Sequence, residues 1–129
     1  MTYYINKKIS VPFDQVRPRV EAALKEEGFG IVAEIYFPKV LKEKLGVDLR
    51  PYLVLEACNP QFAYRSLQTE DKIGILLPCN VVIQHVDEQT TEVAFVNPVT
   101  AMHSVDNPEM KQIAQEIYHK LSRALEKLS

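Results

Sequence analysis

The sequence has no tryptophan, few glycines and no excess of either charge. Its formal net charge is -2, and its lysines and arginines are spread along the chain, which gives no electrostatic footprint for a phosphate backbone. We therefore expect no nucleic-acid partner. No window approaches the roughly 18 apolar residues of a membrane span, and residues 1–8 lack the pattern of a signal peptide. These absences predict a soluble, cytoplasmic protein with no membrane partner.

Recognised catalytic and metal-binding motifs are missing as well. The sequence has no glycine-rich phosphate loop and no G-x-S-x-G or H-E-x-x-H signature. Its two cysteines, Cys58 and Cys79, do not have the C-x-x-C spacing of zinc sites, so we predict no metal site. Because the cytosol keeps thiols reduced, both are expected to be free, and a transient, regulatory disulfide is the alternative that stays open. The sequence identifies no cofactor, and whether the protein is an enzyme stays open.

The pattern of apolar residues predicts a single domain over residues 1–129. Alternation predicts five strands, at residues 3–11, 31–37, 52–57, 79–85 and 92–97. Helical spacing and capping residues predict helices at 14–28, 38–45 and 60–69, and a long one from the Asn107-Pro108 pair through residue 128. Because the strands have one covered and one partly open face, the sheet should be antiparallel. We predict a two-layer α+β fold in the order β-α-β-β-β-β-α, with short helical excursions and the long C-terminal helix packed on the sheet.

A Cys-Asn pair occurs twice, as Cys58-Asn59 and Cys79-Asn80. Asn59 followed by Pro60 is a helix-start signal, so Cys58 should lie where unpaired amides and the helix dipole stabilise a thiolate. The alternative is that Cys58 is a small buried residue at a strand end, and the same reading is favoured for Cys79. In an antiparallel sheet the two thiols would lie at the same edge, whereas a parallel crossover would separate them.

Two acidic residues are further candidates for a site. Glu34 and Glu56 occupy the less apolar faces of the second and third strands, and Cys58 shares the face of Glu56. Two carboxylates beside a thiol would form an acid/base group. The alternative is that both carboxylates point into water or into a subunit interface.

Four segments resemble one known family: GFGIVAEI at 28–35, LKEKLGVDLRPY at 41–52, EACNP at 56–60 and LLPCNVV at 76–82. Together they resemble domain-of-unknown-function family 302 over nearly the whole chain. The resemblance implies a TATA-binding-protein-like fold with antiparallel strands, but no activity, and DNA binding does not follow from a shared fold. The positions that carry it are Gly28, Gly30, Glu34, Leu45, Gly46, Cys58, Asn59, Pro60, Pro78, Cys79 and Asn80.

Three functions are compatible with these residues. The first is an accessory module, expected to be a homodimer, that binds a small ligand or a partner in a cleft near the two cysteines. The second is a thiol-dependent enzyme or redox sensor, with Cys58 as the reactive thiolate and Cys79 as the resolving thiol. The third is an interaction protein with an apolar interface on the open sheet face. The candidate site residues are Cys58, Asn59, Cys79, Asn80, Glu34 and Glu56.

Overall fold

The sheet formed by the described residues has five strands, all antiparallel. The computed structural model describes residues 2–129, and its strands are β1 (Tyr4–Ile9), β2 (Gly30–Tyr36), β3 (Tyr52–Cys58), β4 (Cys79–Asp87) and β5 (Thr90–Val96). Their order in the sheet is β1-β5-β4-β3-β2. Strands β2 to β5 follow one another as a meander, and β1 pairs with β5. The two edges of the sheet are therefore β1 and β2.

The helices are α1 (Val16–Glu26), α2 (Phe37–Leu45), α3 (Pro60–Thr69), α4 (Pro98–Ala101) and α5 (Pro108–Glu126). Short 3-10 turns, Phe13–Gln15 and Ile73–Leu76, precede α1 and β4. The two-layer α+β class, the antiparallel sheet and the long C-terminal helix are confirmed. Among residues 2–129, no helix is both long and apolar enough to cross a membrane.

One face of the sheet is covered by helices, and the core lies between the two layers. Along β3, Leu53, Leu55 and Ala57 are buried while the residues between them are half-buried, which is the period of two expected for a sheet with one covered face. On α5 the side chains at helical spacing are buried against this face, among them Ile113 and Leu121. Burying one such side chain stabilises the fold by about 1.5–3 kcal/mol.

A buried acidic residue joins the C-terminal ends of α1 and α5. The Glu27 carboxylate accepts hydrogen bonds from Lys127 Nζ at 2.8 Å and from Arg123 Nε at 3.0 Å. These two bonds, with that of Lys127 the stronger cause, hold the pKa of Glu27 below its ordinary value. The chain then turns through Gly28, whose φ of 88° is a conformation that glycine adopts at little cost. This turn leads into β2 and forms one boundary of the candidate site.

Candidate functional site

The two Cys-Asn pairs meet where β3 ends and β4 begins. In the ladder between these strands, Ala57 is paired with Cys79 and Glu56 with Asn80. Cys58 therefore lies one residue beyond the partner of Cys79. The antiparallel connection brings the two cysteines to one end of the sheet, as the sequence led us to expect.

The two cysteines occupy alternate positions of the ladder, yet both line one pocket at the end of the sheet. Cys79 lies on the covered face, 5% exposed, beside the buried Ala57. Cys58 follows Ala57 in the strand, so it shares the other face with Glu56 and is half-buried. A disulfide requires Cβ atoms that point towards each other as well as close Cα atoms. The backbones are adjacent, and both cysteines are free.

Burial changes the acidity of Cys79. It raises the pKa of this thiol from 9.0 to about 11, and the neighbouring Cys58 adds a smaller effect in the same direction. At neutral pH Cys79 is thus an uncharged thiol. Because thiol exchange proceeds through the thiolate, the arrangement is unfavourable for Cys79 as a resolving cysteine.

Asn59 precedes Pro60, the first residue of α3, but the expectation that its side chain caps this helix is wrong. No side chain at this position caps the helix. Instead, Asn59 is buried and its Nδ2 donates to the backbone carbonyl of Glu27 at 3.2 Å. A Cβ atom added to Gly28 would lie 3.0 Å from the same Nδ2. The side chain therefore fastens the turn after α1 to the end of β3, and the first-turn amides of α3 receive no side-chain cap.

The two candidate carboxylates lie on opposite faces of the sheet, so the predicted acid/base group beside Cys58 is not assembled. Glu56 is on the open face, whereas Glu34 is paired with the core residue Leu55 and lies on the covered side. There Glu34 forms an ion pair with Arg17 Nη2 at 3.1 Å. The reason is a bulge after Ile31, which shifts the alternation of β2 by one residue.

A pocket of about 260 Å³ lies where the two cysteines meet. Its walls come from the end of β3, the start of β4, the start of β2, the helices α3 and α5, and the 3-10 turn before β4. The lining is apolar or weakly polar and includes Phe29, Ala57, Cys58, Phe62, Leu77, Cys79 and Ile117. Among the lining residues, none is charged and only Asn59 carries an amide. The sequence indicated the cysteines but not the aromatic and aliphatic walls.

A second depression, of about 450 Å³, lies on the open sheet face and contains Asn80. Here the polar side chains are already joined across the strands. Gln84 Nε2 donates to Glu92 at 3.0 Å, and Asn6 Nδ2 donates to the other carboxylate oxygen at 2.7 Å. Arg50 donates twice to Gln84 Oε1. Gln84 and Glu92 are thus already paired with neighbouring side chains, and Asn80 does not line the pocket that contains the cysteines.

The candidate residues therefore occupy three places. Cys58, Asn59 and Cys79 line the apolar pocket, Asn80 and Glu56 face the open side of the sheet, and Glu34 lies at the β2 edge. Within residues 2–129, no three histidine, cysteine, aspartate or glutamate side chains gather closely enough to hold a metal ion.

The fold and the pocket define a small α+β domain with an apolar pocket at one end of an antiparallel sheet. The family model of the "Domain of unknown function DUF302" matches residues 5–128, so the chain belongs to this family. It is also similar to the crystal structure of an uncharacterized conserved protein DUF302 from Bacillus stearothermophilus. The two share 30% identity over 100% of both chains, with a TM-score of 0.91. No curated protein gives a significant match to the chain.

Proposed function

We propose that the chain is a binding module that holds a small, uncharged and largely apolar ligand in the pocket beside Cys58 and Cys79. The observation that carries this proposal is the pocket of about 260 Å³ without a charged lining residue. An apolar cavity of about 150 Å³ stays dry and binds benzene. The pocket has room for a somewhat larger molecule, such as one with two fused rings.

The polar groups around the pocket support an uncharged ligand. An ionised group buried without a partner is strongly disfavoured, and the walls offer no countercharge. The amide of Asn59 is already engaged by the Glu27 carbonyl. The uncapped first turn of α3 has amide donors available for one acceptor atom of the ligand. We therefore expect an apolar body with, at most, a single carbonyl or ether oxygen at the α3 end.

A thiol-dependent reaction at Cys58, with Cys79 as its resolving partner, has less support. The raised pKa of Cys79 keeps it protonated at neutral pH. Glu34 lies on the far side of the sheet from Glu56, so the two carboxylates do not gather beside Cys58. No neighbouring base completes the set that such an enzyme requires. Binding without chemistry explains the apolar walls more directly.

The proposal is tested by titration with N-phenyl-1-naphthylamine, an uncharged apolar probe that fluoresces when it leaves water. Ala63 on α3 lines the pocket, whereas Ala22 on α1 is exposed. The same change, alanine to leucine in a helix, therefore fills the pocket in one variant and leaves it untouched in the other. We expect saturable binding to the wild type and to Ala22→Leu, and binding weakened about tenfold or more in Ala63→Leu. Circular dichroism verifies that both variants are folded. No saturable binding, or equal affinities for all three proteins, would contradict the proposal.

A further inference from the structure

The pocket beside the two cysteines opens to solvent between apolar side chains. Val32 and Leu67 both line the pocket, and they are 64% and 49% exposed. Ile75 and Leu76 lie in the 3-10 turn before β4, and the residue on each side of this pair lines the pocket. Both are exposed, Ile75 by 83%. These four residues, which we call the rim of the pocket, therefore leave an apolar surface in water at its opening.

The rim is continuous with the apolar walls of the pocket. Apolar side chains that are exposed singly are ordinary in a folded protein. Here they border one pocket, and no charged residue belongs to the lining from which the rim extends. The free energy of burial grows with the apolar area that is removed from water. A ligand that covers the rim as well as the walls therefore binds more tightly than one that fills the pocket alone.

The charged side chains between the start of α3 and the 3-10 turn offer nothing to an anionic ligand. Lys72 pairs with Asp71 at 3.4 Å. Arg65 pairs with Glu116 of α5 at 3.3 Å. The remaining charged residue of this segment is Glu70, at the end of α3. The segment thus has no free cation for a carboxylate such as that of a fatty acid.

On the other sides of the pocket the charged groups are engaged as well. Glu34, on the strand that carries Val32, is paired with Arg17 at 3.1 Å. Lys120 of α5 lies over the ring of Phe62, with its Nζ atom 6.0 Å from the ring centre, in a cation–π contact. The surroundings of the rim therefore suit an uncharged chain better than a charged group.

We propose that the ligand is an uncharged long-chain molecule whose chain fills the pocket and continues over the rim. This inference rests on the proposed function, since it concerns the same pocket. A cavity of about 150 Å³ binds benzene. By the same proportion, a pocket of about 260 Å³ has room for roughly ten carbon atoms. A longer chain lies partly on the rim, where Ile75 and Leu76 shield it from water.

The test compares two ketones that differ only in length, 2-nonanone and 2-tridecanone, by isothermal titration calorimetry. The shorter ketone fits inside the pocket, whereas most of the additional methylene groups of the longer one lie on the rim. A fully buried methylene group tightens binding about fourfold, and one that the rim covers on a single side should tighten it about twofold. The wild type should therefore bind 2-tridecanone about tenfold or more tightly than 2-nonanone.

The variant that separates the rim from the pocket is Ile75→Thr, because Ile75 does not line the pocket. The control is Ile35→Thr, the same change at an exposed residue of β2 outside both the pocket and the rim. We expect all three proteins to bind 2-nonanone equally. The gain in affinity with 2-tridecanone should fall to about threefold or less in Ile75→Thr alone. Circular dichroism verifies that both variants are folded.

Equal affinities of the wild type for the two ketones, the result expected if a second protein molecule covered the rim, would overturn this inference. The same gain with chain length in all three proteins would also overturn it, because the rim would then contribute nothing. If neither 2-nonanone nor N-phenyl-1-naphthylamine binds, the proposed function fails together with this inference. If both bind and chain length has no effect, the pocket proposal stands and only the long-chain ligand is refuted.

Discussion

The buried thiol of Cys79 should make the protein less stable in alkaline solution. In the folded chain burial raises its pKa from 9.0 to about 11, with a smaller contribution from Cys58, whereas in the unfolded chain it ionises near its ordinary value. Between these two values the unfolded chain releases a proton that the folded chain retains. Ionisation therefore favours unfolding. The stability that the neutral thiol contributes is complete below pH 9.0 and is lost as the pH rises through about 11.

The magnitude follows from the size of the shift. Each pKa unit corresponds to about 1.36 kcal/mol, so a rise of about two units amounts to roughly 3 kcal/mol. Because Cys79 is only 5% exposed, screening by water reduces this value little. The assay is urea unfolding from neutrality to pH 11, with a phosphine reductant, for the wild type, Cys79→Ala and Cys58→Ala. The free-energy difference between the wild type and Cys79→Ala should shift by roughly 2 kcal/mol by pH 11, where the folded thiol is half ionised, and in favour of the variant.

Other groups also ionise in alkaline solution, but they are common to both proteins and cancel in the difference. Cys58 is half-buried, and Cys58→Ala serves as the control for the removal of a thiol. Alkylation with iodoacetamide at neutral pH gives a second readout, since the cysteine of Cys58→Ala should react more slowly than that of Cys79→Ala. If the free-energy difference between the wild type and Cys79→Ala does not change with pH, Cys79 ionises equally in both states and the reasoning fails.

Two further predictions concern the contacts that hold the turn after α1. Glu27→Gln removes the negative charge that accepts hydrogen bonds from Lys127 and Arg123. Because these hydrogen bonds lower the pKa of Glu27, the stability that they contribute is present at neutral pH and is lost as the pH falls below 4.5. The stability deficit of the variant should therefore disappear in acid, and a deficit of constant size would refute the ionic explanation. Asn59→Ala leaves the buried region around the Glu27 carbonyl without its donor and should cost about 1–3 kcal/mol in urea unfolding. Asn80→Ala, at the exposed asparagine of the other Cys-Asn pair, should stay within about 0.5 kcal/mol of the wild type; equal losses at both asparagines would contradict the assigned role of Asn59.

The strands and the layered architecture could be predicted because their signals are local. Alternation along β3 and β4 follows from burial of one face, and each strand carries this pattern within its own residues. The long helix was equally evident, since Asn107 accepts from the amides of Glu109 and Met110 as a capping residue should. The β-bulge in β2 left no such local signal, and it reversed the predicted face of Glu34.

The three Asn-Pro pairs explain where local signals stop being sufficient. Asn107 caps α5, and Asn97, which the sequence suggested only as the end of a strand, caps α4 by accepting from Val99 N at 3.1 Å. Asn59 has the same local sequence, but its side chain turns to the carbonyl of Glu27, 32 residues earlier. In each case the asparagine side chain supplies a hydrogen-bond partner to a backbone group that would otherwise lack one, an amide of α5 for Asn107 and the carbonyl of Glu27 for Asn59. The Asn59 side chain bonds the Glu27 carbonyl and not the start of α3, because the turn at Gly28 lies beside it. That proximity is a property of the tertiary structure.

The candidate site could also be predicted only as far as local sequence signals allow. Antiparallel pairing of β3 and β4 was sufficient to bring Cys58 and Cys79 to one end of the sheet. The walls of the pocket belong to separate elements, however, and Phe29, Phe62 and Ile117 each have the local pattern of an ordinary core residue. These residues line a pocket because packing leaves a space between them. The periodicity of apolar residues along the sequence does not reveal such a space. The repeated Cys-Asn pair therefore indicated where a site lies, while the chemistry that the site favours follows from its apolar walls.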